Sequence, residues 1–350
     1  MLHLDLLRLV AICCVIFNHT GDRGYLLFAD NVGTWTYFPC MLVSIICKVA
    51  VPIFFMISGA LLLPKQESLK TLFSKRIFRI LAVLVLISVP YFAWLHGTRK
   101  LDISSFLIHI YKASASTSLW YLYSYLALLA TMPFLRSMVR SMTKQEFWYL
   151  FAGYIVMFGM VPCMEFLLWQ GNVTIHESFE PVLFLTPNVF YAIAGYYLEY
   201  VADYRKNRKR ILLLGVGLSG VALAITCFMT HDQLATAGKL PTEQLERFFN
   251  CFICVPAMTL YYVMKCIGEN LRSKKIRKLL SVLGGTVFGI YLIEKFARAL
   301  TDPIYVLIAP VVGSFAASLI WSLAALCVSF IVVVSLKHMP VIKNAVNRFI

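Results

Sequence analysis

Apolar runs long enough to cross a membrane recur from one end of this 350-residue chain to the other, and that repetition sets the fold class. The hydrocarbon core of a bilayer takes about 20 apolar residues as helix. Within that layer every backbone N–H and C=O must be bonded inside the chain, so the spans are helices. Only 14% of the residues are charged and 60% are hydrophobic, against roughly 25% charged in a soluble domain. The expectation is an all-α, polytopic transmembrane helical bundle forming a single domain over residues 1–350.

The runs place ten spans, at about 4–20, 41–63, 78–95, 118–135, 146–164, a sixth ending near 202, 211–230, 248–266, 280–299 and 305–336. A turn at Thr301-Asp302-Pro303 is expected between the last two. The tenth run is too long for one perpendicular helix, so tilt or an interruption is expected there. The start, Met1 to Asp5, has no basic leader, and no small-residue cleavage pattern follows. The first span is therefore expected to be retained.

The net charge is +15, and its cations sit in short clusters at 64–79, 136–144, 203–210, 272–278 and the C-terminal tail. Every second loop is basic, and the loops between them are neutral or acidic. Ten transmembrane helices with both termini cytoplasmic satisfy that alternation. The same clusters suit contact with anionic membrane lipids, and nothing in the pattern calls for nucleic acid. The ten cysteines fall largely in apolar runs. Cys13, Cys14, Cys47, Cys251, Cys254 and Cys266 read as small membrane-buried side chains. No pair has zinc-site spacing in a polar setting, so no metal is expected.

Against this background the stretch RLVAICCVIFNHTGD, residues 8–22, carries polar groups that need a reason. Arg8 and His19 are eleven residues apart, which offsets them by only about 20° around a helix and about 16 Å along it. They share a face but cannot touch. Asp5, one turn before Arg8, can pair with it; Asp22, one turn after His19, can orient the imidazole if the helix continues that far. A snorkelling arginine and an interfacial histidine would account for each residue separately. Together on one face they favour a lined cavity. Histidine suits removal of a proton from a hydroxyl near neutral pH. Arginine offers a fixed donor fork to phosphate or carboxylate. A cytosolic anion held at Arg8 would reach with its other end towards His19. Asn18, about 100° from His19, either donates to an oxyanion or bonds a neighbouring helix. This geometry suits transport and catalysis equally.

The context LDLLRLVAICCVIFNHT resembles the first-helix motif of the integral-membrane acyltransferase type 3 family. VPIFFMISGALLL, residues 51–63, is similar to its second-helix block, and SKRIFRI, residues 74–80, to the basic stretch before its third helix. LWYLYSYLAL at 119–128 and GGTVFGIYLIEK at 284–295 are weaker matches, in the same order along the chain. The resemblance implies a ten-helix enzyme of the bacterial cytoplasmic membrane. It would take an acyl group, commonly acetyl, from cytosolic acyl-CoA (acetyl-CoA or a longer relative). The acceptor would be a hydroxyl of an envelope glycan, peptidoglycan or lipid-linked sugar. The family's essential first-helix pair falls on His19 and Arg8, and its basic motif on Lys75, Arg76 and Arg79, with Arg8, Arg76 and Arg79 meeting the donor's phosphates. One position departs: many members carry histidine where this chain has Glu294, whose charge calls for Lys295, Arg298 or a cavity group as partner. Trp120, Tyr121 and Tyr123 line a sugar site or anchor the interface. His176 and Glu177 contact the acceptor or belong to a solvated loop. The rival function is a transporter or flippase of a glycan or small metabolite; a sensor without catalysis is a third.

Overall fold

The computed structural model describes residues 1–97, 102–112, 114–171, 173–176, 186–203, 205, 207–238 and 242–339. Among the described residues the chain is all helical and has no strand. The helices are α1 (Leu2–Asn18), α2 (Tyr37–Leu62), α3 (Leu69–Leu95), α4 (Ile103–Lys112), α5 (Thr117–Ser141) and α6 (Lys144–Trp169). They continue as α7 (Pro187–Tyr196, prolonged by a π turn at Tyr197–Val201), α8 (Arg208–Ala237) and α9 (Thr242–Asn250). The last four are α10 (Cys254–Asn270), α11 (Lys274–Gly284), α12 (Val287–Val312) and α13 (Ser314–His338).

Six of the described helices, α2, α3, α5, α6, α8 and α13, have the length and apolarity of a membrane span. The pair α11 and α12, bent by 58° at its junction, makes a seventh when taken as one span. Three shorter apolar helices, α1, α7 and α10, stand where the sequence places spans one, six and eight. The 17 residues of α1 cover about 26 Å. It packs against α2, α10, α11, α12 and α13. Leu4, Leu7, Ala11, Ile12 and Ile16 are buried along it.

Two expected boundaries are corrected. Thr301-Asp302-Pro303 is no turn: α12 runs through Pro303 and Pro310 to Val312. The chain reverses instead at Gly313, whose φ of +84° is open to glycine and unfavourable for a residue with a Cβ. The eighth span begins at Cys254 rather than near 248, because α9 ends at Asn250 and Phe252 takes a left-handed φ of +46°. Of the cysteines expected inside, Cys47, Cys251, Cys254 and Cys266 are buried, Cys14 is half-buried and Cys13 is exposed on the bundle surface.

The tightest seam joins α2 to α7. A Cβ on Gly59 would lie 1.8 Å from the Ala192 carbonyl oxygen, and one on Gly195 2.0 Å from that of Met56. Small residues let two backbones meet and gain dispersion contacts where lipid supplies no hydrophobic drive.

Candidate active site

Four helices and a hinge enclose a cavity of about 460 Å³. Its walls come from α1, α2, α3, α5 and the α11–α12 junction. Its rim is cationic, lined by Arg8, Lys65, Lys75, Arg76 and Arg79. Its shaft is apolar, lined among others by Val15, Phe54, Ile57, Leu61, Leu129 and Phe288. At its other end stand His19, Ser118, Trp120, Tyr121 and Tyr291. Helical rise separates Arg8 from His19 by about 16 Å, so the cavity runs along α1 from one to the other.

The rim is held from below. Arg8 donates to Asp5 at 2.7 Å, as its spacing of one turn allows. Gly284 leaves no room for a side chain against Asp5, since a Cβ there would lie 2.7 Å from the Asp5 Cβ. The foot of α1 is tied further by His3 to Glu199 at 3.0 Å; Tyr261 donates to the same carboxylate at 2.9 Å. On α3 the turn Leu72–Ile77 is a π turn, which carries Lys75 and Arg76. Glu67 clamps it, accepting from Arg76 at 2.7 Å and from Arg136 at 3.0 Å. Burial raises the Glu67 pKa, but the two guanidinium groups outweigh it and hold the carboxyl below its ordinary range. Arg136 is itself buried and also donates to the Leu62 carbonyl at 3.0 Å.

At the far end, α1 stops at Asn18 and His19 caps it. The His19 Nδ1 lies 2.9 Å from Glu294 Oε1. Glu294 is fully buried, and its second oxygen accepts from Arg298 Nε at 2.7 Å. Arg298 also donates to the His19 carbonyl, and its own carbonyl accepts from Trp321 Nε1 at 3.1 Å. A buried carboxylate between a guanidinium and an imidazole is ionised and accepts from both. Nδ1 therefore carries the hydrogen, and Nε2 is left as the basic nitrogen. Such an arrangement can take a proton from a hydroxyl, with the resulting imidazolium stabilised by Glu294.

The structure thus brings Arg8, His19, Lys75, Arg76 and Arg79 onto one cavity. It does not bring Asn18 or Asp22 there. Asn18 Nδ2 donates to the Cys47 carbonyl at 3.0 Å, the helix-bridging alternative of its two readings. Asp22 lies exposed in a 3-10 turn, Gly21–Arg23, beyond the end of α1, and Glu294 is the carboxylate on Nδ1. Trp120 and Tyr121 line the cavity, whereas Tyr123 donates to the Ile110 carbonyl at 2.9 Å. His176 is exposed, and Glu177 lies outside the described residues. Lys48 donates to both oxygens of Glu246 at 2.5 and 2.6 Å.

Sequence reasoning missed Glu67 and Arg136, whose only signal was an acidic residue set in a basic loop. It named Arg298 as a partner for Glu294 but looked to Asp22 rather than Glu294 for the His19 imidazole. No group of three or more His, Cys, Asp or Glu suited to a metal occurs among the described residues.

With this geometry in hand the comparisons with known proteins are decisive for the family. The model of the type 3 acyltransferases, described as an acyltransferase domain, matches residues 1–338. The chain belongs to this family. It is a membrane acyltransferase by that membership and by its bundle of span-length helices. No curated protein and no solved structure matches it significantly.

Proposed function

We propose that this acyltransferase is an O-acetyltransferase of the bacterial cytoplasmic membrane. It moves an acyl group from cytosolic acyl-CoA to a hydroxyl of an envelope glycan or lipid-linked sugar. One observation carries the reading: a single cavity joins a five-cation rim to a histidine whose Nδ1 is bonded to a buried carboxylate. A thioester donor with a polyanionic head and a slender arm matches that division into charged rim and apolar shaft. In this reading α1, α7, α10 and α12, entered through the bend from α11, complete ten membrane-crossing segments, with both termini and the rim on the cytosolic side.

The residues then divide the work. Arg8, Lys75, Arg76 and Arg79 meet the donor's phosphates. His19 Nε2 removes the proton from the acceptor hydroxyl as its oxygen attacks the thioester carbonyl. The carbon–sulfur bond breaks, and the thiolate leaves towards the cytosol, taking the proton from the imidazolium. Glu294 fixes the tautomer and steadies the charge, while Arg298 keeps the carboxylate in place. Asn18 and Asp22 stand at one remove from the reaction: the first at the α1–α2 junction, the second outside the cavity.

Thiol release from acetyl-CoA by the purified protein, with envelope glycans as acceptors, tests the reading. Turnover in the wild type that is lost in His19→Ala is the expected result. Vesicle uptake of a glycan without any acyl donor, and no thiol release, would establish the transporter instead.

A further inference from the structure

One helix of the basic end serves neither as a span nor as a cavity wall along its length. Helix α11 is short, is bent 58° from α12, and is exposed from Lys274 to Leu279. Ser273 caps it, its side chain accepting from the Ile276 amide at 3.5 Å. At 100° per residue, Ile276, Leu279, Leu280, Val282 and Leu283 fall within an arc of about 160°. Lys274, Arg277 and Lys278 fill the opposite arc. Lys275 falls about 20° inside the apolar arc, beside Val282, where its stem can lie on the apolar side and its ammonium can rise to headgroup level. Leu280 and Leu283 are half-buried, but Ile276, Leu279 and Val282 are 46%, 57% and 53% exposed. The four cations, with Arg272 beside them, take no carboxylate partner among the described residues.

An apolar stripe left uncovered, backed by unpaired positive charge on a helix steeply inclined to its neighbouring span, fits one environment. We propose that α11 lies in the headgroup layer of an anionic leaflet, its apolar stripe in the acyl boundary and its cations on lipid phosphates. Both chemical halves of the helix are then satisfied at once. A neutral leaflet would satisfy only the stripe; a soluble polyanion would satisfy only the charge. The helix also bears on the cavity. Its last residue, Gly284, packs on Asp5, which holds Arg8, and Gly284 with Gly285 forms part of the rim. Lys337 of α13 donates to the Gly285 carbonyl at 2.8 Å and secures the hinge. The lipid surface thereby seats the rim. That this rim receives an acyl donor, and that it faces the cytosol, rests on the reading above; the contact with anionic lipid does not.

Amide hydrogen exchange on the full-length protein in lipid nanodiscs tests the contact without any turnover. The discs hold phosphatidylcholine alone, or phosphatidylcholine with one third phosphatidylglycerol. Exchange over residues 274–284 should slow about fivefold in the anionic discs and recover at high salt. The variant K274Q/K275Q/R277Q/K278Q should lose that response, and K274R/K275R/K278R should keep it. A Leu279→Ser/Val282→Ser variant, with all its cations, should exchange faster in both discs. Equal exchange of the wild type in the two lipids would overturn the proposal, and so would an undiminished response in the glutamine variant. Slowing by adenosine 3′,5′-bisphosphate in neutral discs, without slowing by anionic lipid, would make α11 a donor-phosphate site instead. Slowing by anionic lipid in a protein that releases no thiol would leave the lipid contact standing and remove the acyl-transfer reading.

Discussion

The two ends of the bundle treat charge in opposite ways. At one end gather Arg8, the 64–79 loop, Arg136, Arg208, α11 and Lys337, linked by contacts such as Arg140 to the Lys65 carbonyl and Arg208 to that of Cys266. Cations outnumber their partners there, and they surround an opening. At the other end charges come in pairs: Lys48 with Glu246, Arg247 with Glu165, and Arg23 with Asp302. Arg23 is also roofed by the rings of Tyr305 and Trp321. The charges of such pairs neutralise one another and hold helices together. An end with more cations than carboxylates keeps its positive potential available for an anion from outside the protein.

Substitutions can break this contrast. The largest effect is expected midway, where the cavity ends. His19→Ala should lower thiol release on the order of a thousandfold with expression and melting temperature retained. Glu294→Gln should lower kcat about a hundredfold. Glu294→Ala should in addition destabilise the protein by about 3–5 kcal/mol, because Arg298 is left unpaired in the interior. At the basic end, Arg76→Gln with Arg79→Gln should raise the donor KM roughly 10–100-fold and leave kcat nearly unchanged. At the paired end, Lys48→Met with Glu246→Met should shift turnover less than about twofold and stability by no more than about 1 kcal/mol, since Glu246 is half exposed to solvent. A loss there as large as that from Arg76 and Arg79 would erase the distinction between the ends.

The clamp at Glu67 sharpens the same comparison through pH. Its pKa is held below the ordinary carboxylate range, so the clamp is complete at neutral pH and is lost only as pH falls through that lowered value. Donor KM should therefore be flat across the physiological range and rise only in strong acid. Glu67→Gln should give a raised KM that no longer responds in that acid range. Steady-state kinetics at varied pH on both proteins measures this.

Much of this was legible in the chain because it is local. The Arg8–His19 stripe is helical arithmetic within one segment, and the Arg8–Asp5 pair spans three residues. The alternation of loop charge likewise needs only counting. The partner of His19 was out of reach: Glu294 lies 275 residues away, and only the packing of α1 against α12 joins them. Asp22 was the local candidate, and it failed because the helix ends at Asn18 and Gly21 turns the chain with a φ of +57°. The break before the last helix was misplaced for a related reason. Pro303 costs α12 one backbone bond but does not reverse a chain, whereas Gly313 at positive φ does.

The contact of Gly59 with Ala192 and of Gly195 with Met56 has a mechanical consequence. Two backbones in touch at such points cannot slide or rotate past each other without colliding, so α2 and α7 move as one body. The α2 face of the cavity, from Val51 to Leu62, is therefore a stiff wall. Across from it stands α3, whose π turn already departs from regular helical pitch and whose surface is largely open to lipid. Any widening of the cavity has to come from its other walls, and α2 serves as the fixed door frame.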